Sequence, residues 1–186
     1  MTLAINIAGT NGSGKSHLMR DVFGLAGRSQ EVMVGDELVG YQLTLPGTLY
    51  PVYVVGSYKS PTGGADTIKP LTLVFDAVRE RLALHHHVLY EGSFVMNQTK
   101  GPELAAELNR KLTVVLLTTP LATCINSVNQ RRRERGEGKL TNTAHIESNF
   151  KRAHSYAGKM QAAGARLVRV TRSEALPKLL GLLHGD

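Results

Sequence analysis

Residues Gly9-Thr10-Asn11-Gly12-Ser13-Gly14-Lys15-Ser16 follow the Walker A spacing G-x-x-x-x-G-K-[ST]. Glycines so spaced let successive backbone N–H groups turn inward around a β-phosphate, where a Cβ would block the turn. Lys15 would bring a cation to the β- and γ-phosphates, and the Ser16 hydroxyl could ligate Mg²⁺. The chemistry implied is the binding of ATP with Mg²⁺ by Gly9, Asn11, Gly12, Ser13, Gly14, Lys15, Ser16 and His17. The blander reading of the same string is a glycine turn that only caps a helix.

Three further groups could complete a phosphoryl-transfer site. In Val88-Leu89-Tyr90-Glu91-Gly92 an apolar strand would deliver a carboxylate beside the loop, where Glu91 could share a metal with Ser16, through a bound water, or act as a base. Leu71 to Asp76 imitates such a strand, but its apolar positions continue with helical period through Leu82, so Asp76 is expected on a helix. In Gln130-Arg131-Arg132-Arg133-Glu134-Arg135-Gly136, Arg131 and Arg135 share a helix face and Arg132 lies three residues from Arg135. Two or three guanidiniums could therefore close on one phosphate as a lid; the alternative is a solvated face. On the acceptor side the candidates are Asp36, in Val34-Gly35-Asp36-Glu37, and Asp66, in Ser60-Pro61-Thr62-Gly63-Gly64-Ala65-Asp66-Thr67. The second loop pairs glycines for close backbone approach with hydroxyls flanking a carboxylate.

The elements that must position these groups alternate along the chain. Strands are expected at Leu3–Ala8, Glu31–Val34, Val88–Tyr90, Leu112–Leu117 and Arg166–Val170, with Tyr41–Leu45 and Leu49–Val55 as ribbon arms around Pro46-Gly47. Helices are expected at Lys15 to about Ala26, Leu71–Leu82, Glu103–Arg110, Leu121 to about Arg135, from about Thr143 to Gly164, and Glu174–Leu183. The expectation is an α/β fold: one three-layer α/β/α domain over 1–186 with a five-stranded, mostly parallel sheet. A ribbon and loop insertion would occupy about 39–70 and a basic lid about 130–145.

Composition excludes other classes. With 42% hydrophobic and 20% charged residues in 186, neither a disordered nor a fibrous chain fits. No apolar run approaches the roughly 18 residues of a membrane helix, and the N-terminus lacks a secretory pattern, so a cytoplasmic protein with no membrane partner is expected. The single cysteine, Cys124, can neither close an internal disulfide nor build a thiolate metal site, and reads as a small buried side chain. Adjacent His85, His86 and His87 would point to alternate faces of an extended segment, which suits a helix-to-strand junction better than a metal site. Tyr41, Tyr50, Tyr53 and Tyr58 could stack on a base or simply pack.

The charge is asymmetric. Residues 1–91 hold 7 basic and 8 acidic side chains, whereas 92–186 hold 15 and 7. Between Arg131 and Arg172, 11 basic residues face 3 acidic ones. Such a field attracts phosphates, whether of a nucleotide or of a polynucleotide backbone.

Among nucleotide-binding classes, a GTPase would carry N-K-x-D, but the nearest string is Asn97-Gln98-Thr99-Lys100. Transporter-type and chromosome-maintenance ATPases need a signature loop absent here. The Walker A loop with the arginine run resembles the P-loop kinases. Taken with Val54-Val55-Gly56-Ser57-Tyr58-Lys59, Thr62–Thr67 and Tyr90-Glu91-Gly92, the chain resembles the bacteriophage 5-hydroxymethyluracil DNA kinases over nearly its whole length. That resemblance implies ATP and Mg²⁺, a nucleobase pocket near Thr62–Thr67, a basic surface for DNA, and an adenine site between the lid helix and Thr171-Arg172-Ser173, with Arg172 at the cofactor. Two rivals stay open: a kinase of free nucleoside monophosphates, and an ATP-driven nucleic-acid-binding or switch protein without an acceptor.

Overall fold

The computed structural model describes residues 1–60, 63–137 and 140–185. Pro61 and Thr62 of the acceptor loop, and Lys139 of the expected lid, lie outside the described residues.

The first apolar run forms β1 (Ala4–Ala8), buried at every position. It leads through the Walker A loop into α1 (Lys15–Leu25). There follow β2 (Arg28–Val34), β3 (Glu37–Thr44), β4 (Val52–Val55), α2 (Thr72–Ala83), β5 (His87–Glu91), α3 (Lys100–Leu108) and β6 (Leu112–Leu117). The chain ends with α4 (Leu121–Glu134), α5 (Thr143–Ala162), β7 (Arg166–Val170) and α6 (Arg172–His184). Among the described residues the strands form one seven-stranded sheet in the order β2-β3-β4-β5-β1-β6-β7. No helix there is long and apolar enough to cross a membrane.

This corrects the expected five strands. The five from β4 to β7 in that order are parallel, and the antiparallel pair β2 and β3 extends one edge. The segment at 31–34, expected as the second parallel strand, is the outer arm of a hairpin. Only Gly35 and Asp36 separate it from β3, and a two-residue connection with Gly35 at φ 57° joins only antiparallel strands. The place beside β5 belongs to Val52–Val55, expected as a ribbon arm. Its four residues are all buried, as an inner strand requires, whereas six of the seven in β2 are exposed. The arms on either side of Pro46-Gly47 do pair, from Gly40 with Val55 to Leu43 with Val52.

Alternation along the strands sends side chains to two cores. Ala4, Val88, Tyr90, Val114 and Leu116 meet Phe75 and Val78 of α2, Leu104 of α3 and Ala157 and Met160 of α5. Ile5, Ile7, Leu89 and Val115 meet Leu18 and Val22 of α1 and Leu179 and Leu182 of α6. Asp76 lies on α2, 3.1 Å from Arg79. Cys124 is fully buried on α4. The tyrosines pack: the Tyr41 ring meets Phe23 edge-on at 4.9 Å, and Tyr53 is buried beneath the Arg81 guanidinium.

His87 opens β5, and its Nδ1 accepts the Leu3 N–H at 3.2 Å. Burial, helped by the N-terminal ammonium, lowers its pKa to about 4. An unfolded histidine protonates near 6.5. Between those values the unfolded chain holds a proton that the native state refuses. Stability present above pH 6.5 is therefore lost as pH falls toward 4, by a few kcal/mol at most. We expect urea midpoints at pH 7 and pH 4.5 to differ less in His87→Gln than in the parent, and an equal difference would remove His87 as the cause.

Candidate active site

β1 delivers the Walker A loop at its carboxyl end, in the middle of the sheet. Gly12 (φ 83°) packs so closely on α4 that a Cβ would stand 2.3 Å from the Cys124 carbonyl oxygen. At Gly14 (φ 99°) a Cβ would stand 2.7 Å from Arg172 Cδ. Backbone sign calls for glycine at both, and at Gly12 the backbone of α4 leaves no space for a Cβ. Gly14 precedes α1 without a side-chain cap, so the first amides of that helix are left for an anion.

Lys15 is 6% exposed, and its Nζ donates to the carbonyls of Gly9 at 2.8 Å and Thr10 at 3.2 Å. Burial lowers its pKa, while Glu91 and Asp66 oppose the shift. The Ser16 hydroxyl donates to Glu91 Oε1 at 2.9 Å. Glu91, at the end of β5, is 2% exposed. Burial raises its pKa against the pull of Lys15 and the Ser16 hydrogen bond. The register of β1 on β5, Ile7 opposite Glu91, is what sets this carboxylate beside the loop.

Asp66 sits in a 3-10 turn, Ala65–Thr67, and its carboxylate accepts the N–H groups of Ser93 at 2.6 Å, Phe94 at 3.0 Å and Val95 at 3.3 Å. It thereby holds the segment that follows β5. Close packing seals the joint: a Cβ on Gly92 would stand 2.3 Å from Asp66 Oδ1, and one on Gly64 2.8 Å from Glu91 Oε1. Ser93 Oγ donates to Asn11 Oδ1 at 2.9 Å, joining the segment that follows β5 to the Walker A loop.

The result is a cavity of about 460 Å³ lined by Asn11, Gly12, Lys15, Ser16, Asp66, Glu91, Ser93, Phe94, Arg131 and Arg135, among others. A second cavity continues on the far side of the loop, between Gly12–His17, Thr123, Ser127 and Gln130 of α4, and Arg172. The Gly9 carbonyl accepts from the Lys15 ammonium, and Ser13 is buried. His17 is exposed, 4.0 Å from Asp21, and Arg172 pairs with Asp21 across the start of α1.

The structure thus brings Lys15, Ser16, Glu91, Asp66, Arg131 and Arg135 to one cleft. It leaves out two candidates. Asp36 lies exposed in the β2–β3 turn and lines neither cavity, because the hairpin carries it to the edge of the sheet. Arg132 turns from the cleft to pair with Glu137 at 3.0 Å, and Arg135 meets the same carboxylate at 2.7 Å. Ser93 and Phe94 were not singled out from the sequence; their position directly after Glu91-Gly92 was the available signal.

No protein-family model matches the chain. It is 38% identical over 183 residues to a curated protein of Pseudomonas phage PaMx11, covering 97% of this chain and 96% of that one. With that likeness along nearly the whole fold, the chain is a kinase. The relative carries the name 5-hmdU DNA kinase, and the chain belongs to that family.

Proposed function

We propose that the protein transfers the γ-phosphoryl group of ATP to the hydroxymethyl oxygen of 5-hydroxymethyluracil in DNA, in the host cytoplasm. The observation that carries this is the single cleft joining the Walker A loop, the Ser16–Glu91 pair and the Asp66 loop. The acceptor O–H attacks Pγ, the new O–P bond forms as the bond to the β-bridging oxygen breaks, and ADP leaves. The acceptor proton passes to Glu91, whose burial makes it a better base than an exposed carboxylate. Asp66 spends its oxygens on three backbone N–H groups and so ties the acceptor loop to the segment that follows β5.

The donor set suits Mg²⁺. One hydroxyl and one buried carboxylate lie beside a phosphate cradle, and an ion that keeps several waters and binds substrate phosphates needs few protein ligands. When bound, the ion neutralises charge on the β- and γ-oxygens. Ser16 would hold it directly and Glu91 through water. Lys15 exchanges its carbonyl partners for phosphate oxygens. Arg172, with the α4 residues opposite, encloses the nucleoside end of the donor.

Arg131 and Arg135 meet charge developing on the transferred group, and the end of α4 with the segment to about 145 acts as the lid. Because these two line the cleft and the other arginines of the run do not, Arg131→Ala with Arg135→Ala is expected to lower kcat about a hundredfold or more. Arg132→Ala should change it less than threefold. Steady-state kinetics of both variants checks this, and equal losses would contradict the geometry.

DNA as acceptor is favoured by the family and by exposed Lys151, Arg152, Lys159, Arg166 and Arg169, more cations than one ATP and one monophosphate require. The test supplies γ-labelled ATP with three acceptors: an oligonucleotide containing 5-hydroxymethyluracil, the same sequence with thymine, and the free 5-hydroxymethyl nucleotide. Label is expected in the first alone, with rates at subsaturating DNA falling steeply between about 50 and 200 mM salt. Label only in the free nucleotide would move the acceptor to that class, and hydrolysis without transfer would indicate a switch.

A further inference from the structure

We propose that Phe94 is the stacking platform for the acceptor base, and therefore that the enzyme acts on a base drawn out of the DNA stack. This rests on the function proposed above and names how its acceptor is held.

The argument begins with exposure. Scattered apolar side chains on a surface need no explanation. Among the described residues, however, Phe94 is the aromatic one of the exposed large apolar side chains, at 58%, and it lines the cleft that holds Lys15 and Glu91. Its backbone is fixed, since its own N–H and those of Ser93 and Val95 are held by the Asp66 carboxylate, while Val95 is buried. The ring is thus presented by a rigid segment three residues beyond Glu91. The Lys69 ammonium lies 5.8 Å from its centroid, and Lys69 is itself exposed, a cation suited to the phosphate next to a stacked base.

Geometry then requires the base to move. The reacting oxygen must come within bonding reach of a phosphate held by Lys15, which is 6% exposed, and of Glu91, which is 2% exposed. A cavity of about 460 Å³ is of the size that encloses one small molecule and cannot admit a duplex. In stacked DNA both faces of a base are covered by neighbours, so a ring can meet a face only after the base is unstacked.

The experiment measures kcat/KM on duplexes that differ only in the partner of 5-hydroxymethyluracil, either adenine or an abasic site, with Phe94→Ala and Phe94→Trp. The abasic partner removes the pairing penalty and should raise kcat/KM at least fivefold. Phe94→Ala should lower it at least tenfold on both duplexes, chiefly through KM, and Phe94→Trp should restore it to within threefold. Binding of a non-hydrolysable ATP analogue and the thermal midpoint check that the donor side and the fold persist. Equal rates on the two duplexes would overturn the proposal, as would Phe94→Ala within twofold of the parent or a loss that tryptophan does not restore. Failure of the underlying function has a different signature: the parent enzyme then labels neither duplex.

Discussion

Lys15→Ala is expected to leave a folded protein whose phosphoryl transfer is slower by about a thousandfold. The ammonium is the one buried cation among the described residues of the cleft. In a dry site such a charge counts for far more than in water, because nothing must reorganise to meet charge that develops on the phosphate. Its two acceptors are the Gly9 and Thr10 carbonyls, and losing those two hydrogen bonds should cost fold stability on the order of 1 kcal/mol. Single-turnover transfer of label, beside thermal unfolding, separates the two effects. A folded Lys15→Ala variant near the parental rate would end the assignment of the Walker A loop as the phosphate cradle.

Glu91→Gln should lower kcat by about two to three orders of magnitude and raise the Mg²⁺ concentration needed for half-maximal rate. The amide keeps a partner for Ser16 but surrenders the negative charge. The pH dependence gives a sharper sign. Burial raises the Glu91 pKa, so the active, ionised form is lost at a less acidic pH than for an ordinary carboxylate. The acid limb of kcat/KM in the parent should reflect that displaced titration, and the limb should vanish in Glu91→Gln. Stability should move the other way. A group whose folded pKa lies above its unfolded value penalises the native state once pH rises past both. Glu91→Gln should therefore be more stable than the parent at neutral pH, a trade of function against stability common at active sites. A variant both slower and less stable would point to a structural role.

Much of this site could be read from the chain before any fold was known, and the reasons differ by residue. Gly9–Ser16 and Val88–Gly92 are contiguous strings whose chemistry depends on local spacing, and Arg131 and Arg135 are related by helical period. What was not legible is what depends on pairing between distant segments. Local apolarity marked 31–34 as a strand, but whether it lies at the centre or the edge is decided by Gly35-Asp36 folding the chain back and by β4 taking the inner place. Asp36 went astray with it. Arg132 pairs outside the cleft with Glu137, a residue past the end of α4 that no helical wheel includes. Phe94 was silent because solvent exposure belongs to the folded surface and not to residue type.

The central position of β1 bears on how the protein comes to exist. Of the strands in this sheet, the one that carries the phosphate loop is made first, yet both its neighbours come much later: Ala4 pairs with Val88 on one side and Leu112 on the other. Until β5 emerges, β1 has both edges open, and until β6 follows, one remains so. An unpaired apolar edge is a template for association with other chains. The nascent kinase is thus most at risk of aggregation between the synthesis of its first and sixth strands, when no nucleotide site yet exists. High intracellular ATP should therefore protect the finished enzyme while doing nothing for the growing one.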